Sequence, residues 1–364
     1  MKKIIKNIFD RNAINSILPS IFAIIAGLLF GVIILFITNS SQAGQGFLTI
    51  LKGGFIDGMP GVGQVIYIAI PVIMTGLSVG FAFKTGLFNI GAPGQFTVGA
   101  YVAVYIGVNW TFLPASIHWI VAILGAMIAG GIWGLVPGVL KAYSNVNEVI
   151  SSIMMNYIGM YMVNILVTKT IYDSVKNQSV PVLDSANIPK WGLDKVFPYE
   201  GINASVILVM VIVIIVYIIL NKTTFGYELK ACGFNKDASR YAGINSNRNI
   251  IMSMVIAGIL SGIGGAMLYL SGSGKYIQVV DILAIEGFNG IPVALLGLSN
   301  PIGILFAGLF IGHITVGGFN LQLFDFVPEI IDIIIASIIY FSAFALLFKS
   351  LIKKIISKKQ GGDK

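Results

Sequence analysis

Apolar residues in this chain come in long runs separated by short polar stretches: 17–38, 62–83, 89–108, 117–140, 148–168, 205–221, 249–271, 283–298, 302–319 and 329–349. Each run is close to the ~20 residues that cross a bilayer as a helix, the form in which a segment satisfies its backbone where water is absent. The pattern predicts an all-α fold: a polytopic membrane helical bundle of about ten transmembrane spans, with residues 1–364 forming a single transmembrane domain. Segment 169–204 is then an extracytoplasmic loop and segment 222–247 a cytoplasmic one.

Composition agrees, since 56% of the 364 residues are hydrophobic and only 10% are charged, against roughly 25% charged in soluble domains. The net charge of +8 does not point to nucleic acid, because the basic residues sit at the chain ends and in short loops. Lys2, Lys3, Lys6 and Arg11 precede the first span, which is too long for a cleaved signal sequence and reads as an uncleaved anchor. Lys84, Lys141, Lys222, Lys230, Lys236, Arg240, Arg248 and the lysines after Phe348 fall on the same side, so the positive-inside rule predicts that both termini are cytoplasmic.

Small residues recur every four positions at Gly130, Gly134 and Gly138, at Ala257, Ser261 and Gly265, and at Gly308 and Gly312, a spacing that lets helices approach closely. Phe88-Asn89-Ile90-Gly91-Ala92-Pro93 opens the third span, and Phe288-Asn289-Gly290-Ile291-Pro292 lies early in the eighth. Two related halves of five spans would place these Gly/Pro-interrupted segments at equivalent, inverted positions, the pattern that marks a central binding site in transporters.

Chemistry is constrained mainly by what the motifs lack. Cys232 is a lone cysteine, and His118 and His313 have no metal-ligand spacing. Gly272-Ser273-Gly274-Lys275-Tyr276 fails as a P-loop, so any ATP and Mg²⁺ must be handled by other subunits, and no cofactor is expected on this chain. Glu148, Glu286, Glu329 and Asp332 all lie near span ends, Glu148 and Glu329 where a helix N-terminus favours a carboxylate; the scarcity of acidic groups deep in the membrane argues against an ion-coupled carrier. In the 222–247 loop, Tyr227, Leu229 and Ala231 begin a short helical stretch, Gly233 interrupts it as a turn, Asn235 caps a second helix from Lys236, and Gly243 ends that helix.

Residues Gly226 to Ile244, GYELKACGFNKDASRYAGI, resemble the ATPase-contacting loop of the ABC permeases that serve branched-chain amino acids, ribose and nucleosides. Residues 85–95 (TGLFNIGAPGQ), 147–157 (NEVISSIMMNY) and 287–297 (GFNGIPVALLG) are similar to the nucleoside, or simple-sugar, branch of that group. The resemblance spans roughly residues 60 to 345 and departs at Pro93, where members often carry an acidic residue. It implies a non-enzymatic transport subunit in the cell membrane that works with a cytoplasmic ABC ATPase, a second permease (often a different chain) and an extracytoplasmic binding lipoprotein. It also implies an ATPase-coupling role for Glu228, Leu229, Lys230, Ala231, Gly233, Asn235, Ala238 and Gly243.

A nucleoside offers a flat base and hydroxyls, which aromatic rings and uncharged amides suit. Phe88, Asn89, Gln95, Asn156, Phe288 and Asn289 are of that type and are the candidate substrate-pathway residues. A pentose or branched-chain amino acid permease, an ion-coupled secondary carrier and a non-transport scaffold stay open at this point.

Overall fold

The computed structural model describes residues 11–327 and 329–344. The expected cytoplasmic lysines Lys2, Lys3 and Lys6, those from Lys349 to Lys364, and the end of the 329–349 span lie outside the described residues. The described chain is mostly helical: α1 (Arg11–Thr38), α2 (Ala43–Lys52), α3 (Met59–Lys84), α4 (Ala92–Asn109), α5 (Ala115–Ser144), α6 (Glu148–Thr170), α7 (Leu193–Val196), α8 (Ser205–Lys222), α9 (Thr224–Phe234), α10 (Lys236–Tyr241), α11 (Ser246–Tyr269), α12 (Ile285–Leu296), α13 (Pro301–Phe319) and α14 (Glu329–Ala343). Seven helices are long and apolar enough to cross a membrane, within 20–38, 59–84, 115–144, 148–170, 205–222, 246–269 and 301–324.

Two expected spans take a different form. The chain from Gly86 to Gly91 is not helical, so the third run begins as a helix only at Ala92. Of the run 283–298, only the 12 residues of α12 are helical, about 18 Å at 1.5 Å per residue, which is short of the ~30 Å hydrocarbon core. Leu298 and Ser299, both at positive φ, end it in a tight turn before Pro301. The amphipathic α2, which buries Ala43, Gly46, Thr49 and Ile50, was not visible as an apolar run. A further departure from an all-α chain is the antiparallel pair β1 (Tyr172–Asp173) and β2 (Gln178–Ser179).

Residues 1–56 with 313–364, and residues 57–312, form two compact units. In the described part of the first, α1 packs along α14, with Gly27 against Ile338 and the rings of Phe30 and Phe341 6.3 Å apart. The imidazole of His313 meets the Leu51 carbonyl at 3.0 Å.

In the second unit α3 is buried along most of its length. The small-residue repeat of α5 packs as its spacing predicts: a Cβ on Gly130 would overlap the Gly258 carbonyl of α11, and one on Gly134 the Met254 carbonyl. The facing small residues on α11 are Gly258 and Gly262, whereas Gly265 turns to Phe96 and Ala100 of α4. Gly308 and Gly312 rest on Ile73 and Ala69 of α3. Segment 171–204 is stitched to the helix ends, since Leu183 N–H donates to Gly107 O at 3.1 Å and Ile188 N–H to Leu270 O at 2.9 Å. Buried His118 belongs to the same tie, bonding Ser185 Oγ at 2.9 Å and Ile106 O at 3.0 Å.

Candidate functional site

The break before α4 is held by amides. Asn89 Nδ2 donates to Gln95 Oε1 at 2.8 Å and to Ser78 Oγ at 3.0 Å, while Gln95 Nε2 returns a bond to Asn89 Oδ1 at 3.1 Å. Asn89 Oδ1 also accepts from Gly91 N–H at 3.2 Å, a turn in which the side chain replaces a missing backbone partner. Asn156, reaching across from α6, accepts from Gly94 N–H at 2.9 Å and donates to Ile90 O at 2.9 Å. Asn89, Gln95 and Asn156 are all buried. With their polar groups bonded to one another, to Ser78 and to the backbone, these three hold the non-helical segment in place.

The two interrupted segments do meet. The start of α12 lies on the start of α4, where a Cβ on Gly287 would overlap Pro93. Thr75 of α3 steadies the approach by donating from Oγ1 to Glu286 O at 2.8 Å. Pro93 thus supplies a flat apolar surface against a glycine. Phe88 stacks on Phe83, with ring centroids 5.3 Å apart and planes 8° from parallel. Phe288 and Asn289 are half-buried, and the Asn289 side chain takes no hydrogen bond among the described residues.

Of the acidic residues, Glu148 opens α6 beside its cap Asn147 and pairs with Lys141 at 2.9 Å, as a helix-start carboxylate does.

The polar loop after α8 forms two helices. Thr223 caps α9 by accepting from Gly226 N–H at 3.0 Å, Asn235 caps α10 by accepting from Ala238 N–H at 2.9 Å, and Gly243 at φ +83° follows its end. Gly233 is not the turn that its position suggested. It lies inside α9, where a Cβ would sit 2.6 Å from Lys84 O and 3.0 Å from Gly86 N, so it is small because two backbones touch there. Leu229 is fully buried and anchors α9 to the protein, whereas Ala231 and Ala238 line an open groove of about 660 Å³ together with Tyr227, Glu228, Phe234 and Asn235. Glu228 accepts from Asn249 Nδ2 at 3.1 Å, and Lys230 donates to Asn221 Oδ1 at 2.8 Å. Cys232 is buried among Ser239 and Asn249, which makes it a poor surface reporter.

The sequence reading did not single out as exposed three aromatic side chains here, Tyr227, Phe234 and Tyr241, at 72%, 91% and 95% exposure. Their seven-residue spacing was the available signal; it is two helical turns from Tyr227 to Phe234 within α9, and Tyr241 lies on α10. Three aromatic rings exposed on one polar loop are uncommon on a surface that stays in water.

Residues 61–343 match the family model described as the branched-chain amino acid transport system / permease component. The chain is 38% identical to the guanosine ABC transporter permease protein NupP of Bacillus subtilis (strain 168), covering 96% of this chain and 99% of that one. It is 32% identical to the nucleoside ABC transporter permease protein NupB of Lactococcus lactis subsp. cremoris (strain MG1363), over 94% and 95% of the two chains. Likeness to the glucose ABC transporter permease protein TsgB13 of Haloferax volcanii is lower, 29% over 83% and 81%. No solved structure matches.

Proposed function

The chain belongs to the branched-chain amino acid transport system / permease component family, and from that premise we propose that it is the membrane-spanning subunit of an ATP-driven importer of nucleosides. Its similarity over nearly full length to permeases named for guanosine and nucleosides supports that substrate class. A transport subunit needs no catalytic residue of its own. Hydrolysis falls to partner ATPases, with a second permease and an external binding protein completing the complex.

The observation that carries the mechanism is a continuous path of contacts. The groove and exposed rings on α9 and α10 receive the ATPase, with Ala231 and Ala238 in the groove and Asn235 and Gly243 setting the two helix ends. Behind it, Gly233 touches the Lys84–Gly86 backbone. From Gly86 the chain runs through the amide-held break to α4, whose start abuts α12 at Gly287. A displacement of α9 therefore reaches both interrupted segments without passing through flexible chain. We take α4, α12 with its non-helical flanks, and α14 to complete ten spans as two inverted halves, the two segments meeting near the membrane midplane.

Competition decides the substrate class. Uptake of radiolabelled guanosine by cells expressing the complex should be suppressed by excess unlabelled nucleosides and unaffected by ribose or leucine. Suppression by ribose or leucine alone would reassign the substrate.

Phe288→Ala and Asn289→Ala should each lower the uptake rate by about tenfold, the scale of one lost stacking or hydrogen-bond contact, with normal membrane insertion. Asn89→Ala should instead lower the amount of folded protein, since its amide is structural. Unchanged uptake in both α12 variants would make those residues packing groups.

Orientation is tested at exposed positions in a Cys232→Ala background. Cysteine at Tyr241, 95% exposed, should react with an impermeant maleimide only in inverted vesicles, and cysteine at Val175, 91% exposed, only in intact cells. The opposite pattern would reverse the topology.

A further inference from the structure

The outer half of α6 carries polar groups on a face that lipid could not solvate. The 23 residues of α6 span about 34 Å, and Asn164 lies only about 8 Å beyond the helix midpoint at Gly159, within the ~30 Å hydrocarbon thickness. At that depth the non-helical segment 276–284 crosses the helix. Asn164 Nδ2 donates to Val280 O at 3.0 Å and to Asp281 Oδ1 at 2.9 Å. Irregular backbone and a carboxylate at this depth are tolerated where they line a water-filled space. An open groove of about 630 Å³ lies there, bounded by Tyr161, Asn164, Thr168, Lys169, Val280 and Asp281, within the roughly 300–1,000 Å³ of small-molecule sites.

The groove's chemistry selects its ligand. Tyr161, Asn164, Ile165 and Thr168 follow the i, i+3, i+4, i+7 spacing of one helix face. The Thr168 hydroxyl donates to Asn164 O at 2.7 Å, and the Asn164 amide donates to the 280–281 segment, so what both side chains offer the groove is acceptor oxygen. Asp281, exposed and held through one oxygen by Asn164, adds a carboxylate. Lys169, nearest the helix end, is the one cation among the lining residues. Acceptor oxygens beside an exposed tyrosine ring complement a molecule with several hydroxyl donors and a flat face.

We propose that this groove is a subsite on the outer part of the translocation path that reads the ribose diol of a nucleoside, with Asp281 accepting from the 2′- and 3′-hydroxyls, Asn164 positioning the carboxylate and Tyr161 stacking on the base. The proposal rests on the nucleoside reading above. It goes further by predicting that the permease itself distinguishes ribonucleosides from 2′-deoxyribonucleosides.

The test uses the whole complex in proteoliposomes, with the binding protein saturated so that its own affinity does not enter, and compares the uptake rates of radiolabelled guanosine and 2′-deoxyguanosine. The wild type should favour guanosine by about tenfold, the value of a hydrogen bond to a charged acceptor. Asp281→Asn should bring that ratio close to one by slowing guanosine, and Tyr161→Leu should slow both substrates while preserving the ratio. An unchanged ratio in Asp281→Asn would overturn the subsite. So would an unchanged ratio with loss of the second permease on co-purification, which would make this face a subunit interface. Wild-type complex that transports neither nucleoside would refute the substrate class itself, a failure visible before any variant is made.

Discussion

Gly233→Val is expected to abolish ATP-driven uptake while leaving the chain inserted in the membrane. A Cβ at this position would lie 2.6 Å from Lys84 O and 3.0 Å from Gly86 N, and both are backbone atoms that cannot rotate away. Overpacking of that kind costs about 1–3 kcal/mol and is relieved by displacing one element from the other. Here the displaced element is α9, the helix that presents Tyr227 and Phe234 to solvent. Moving it weakens ATPase docking by about tenfold or more or breaks the contact through which docking is felt. Co-purification of the ATPase, substrate-stimulated ATP hydrolysis and uptake, measured on one preparation, separate the two outcomes. Gly233→Ala should give a milder form of the same defect. Wild-type values of all three for the valine variant would mean that α9 and α10 are a passive surface hairpin.

Asn156→Leu should cause the largest loss of stability among the residues around the break. Its amide serves Gly94 N–H and Ile90 O, both facing the buried turn before α4. Leucine of similar size leaves a buried donor and a buried acceptor without partners, about 1–3 kcal/mol each. In detergent the thermal midpoint should fall by roughly 5–15 °C, and α4 should lose its fixed start. A midpoint within about 2 °C of the wild type would show that water or another group takes over both bonds, and would return Asn156 to the list of substrate contacts.

Much of the fold was legible because membrane helices declare themselves by length and apolarity. α1, α3, α5, α6, α8, α11 and α13 all fall on runs read from the sequence. The glycine repeat of α5 likewise announced a close helix contact, though not which residues of α11 would meet it. What composition could not reveal was the difference between a full span and a short helix with irregular flanks, because Ile282, Leu283 and Ile285 are as apolar as a helix interior. A non-helical break and a short helix fall on the two interrupted motifs, but the sequence does not display where their side chains point. Asn89 and Gln95 are close enough in sequence to pair with each other, a local satisfaction that a list of polar residues does not display. Gly233 was misread for a related reason: a glycine can mark a turn or a touching backbone, and only the three-dimensional approach of Lys84 and Gly86 distinguishes them. The groove at Asp281 was invisible because it joins α6 to a segment more than a hundred positions away.

The central claim is that this chain moves nucleosides with energy delivered by ATPases at the face bearing α9 and α10. Reconstituting the purified complex in proteoliposomes, with ATP supplied either to that face or to the opposite one, tests it most directly when guanosine accumulation is followed with and without imposed proton and sodium gradients. Accumulation should require ATP at the α9–α10 face and ignore both gradients; accumulation that follows a gradient in the absence of ATP, or without the ATPase subunit, would contradict the account.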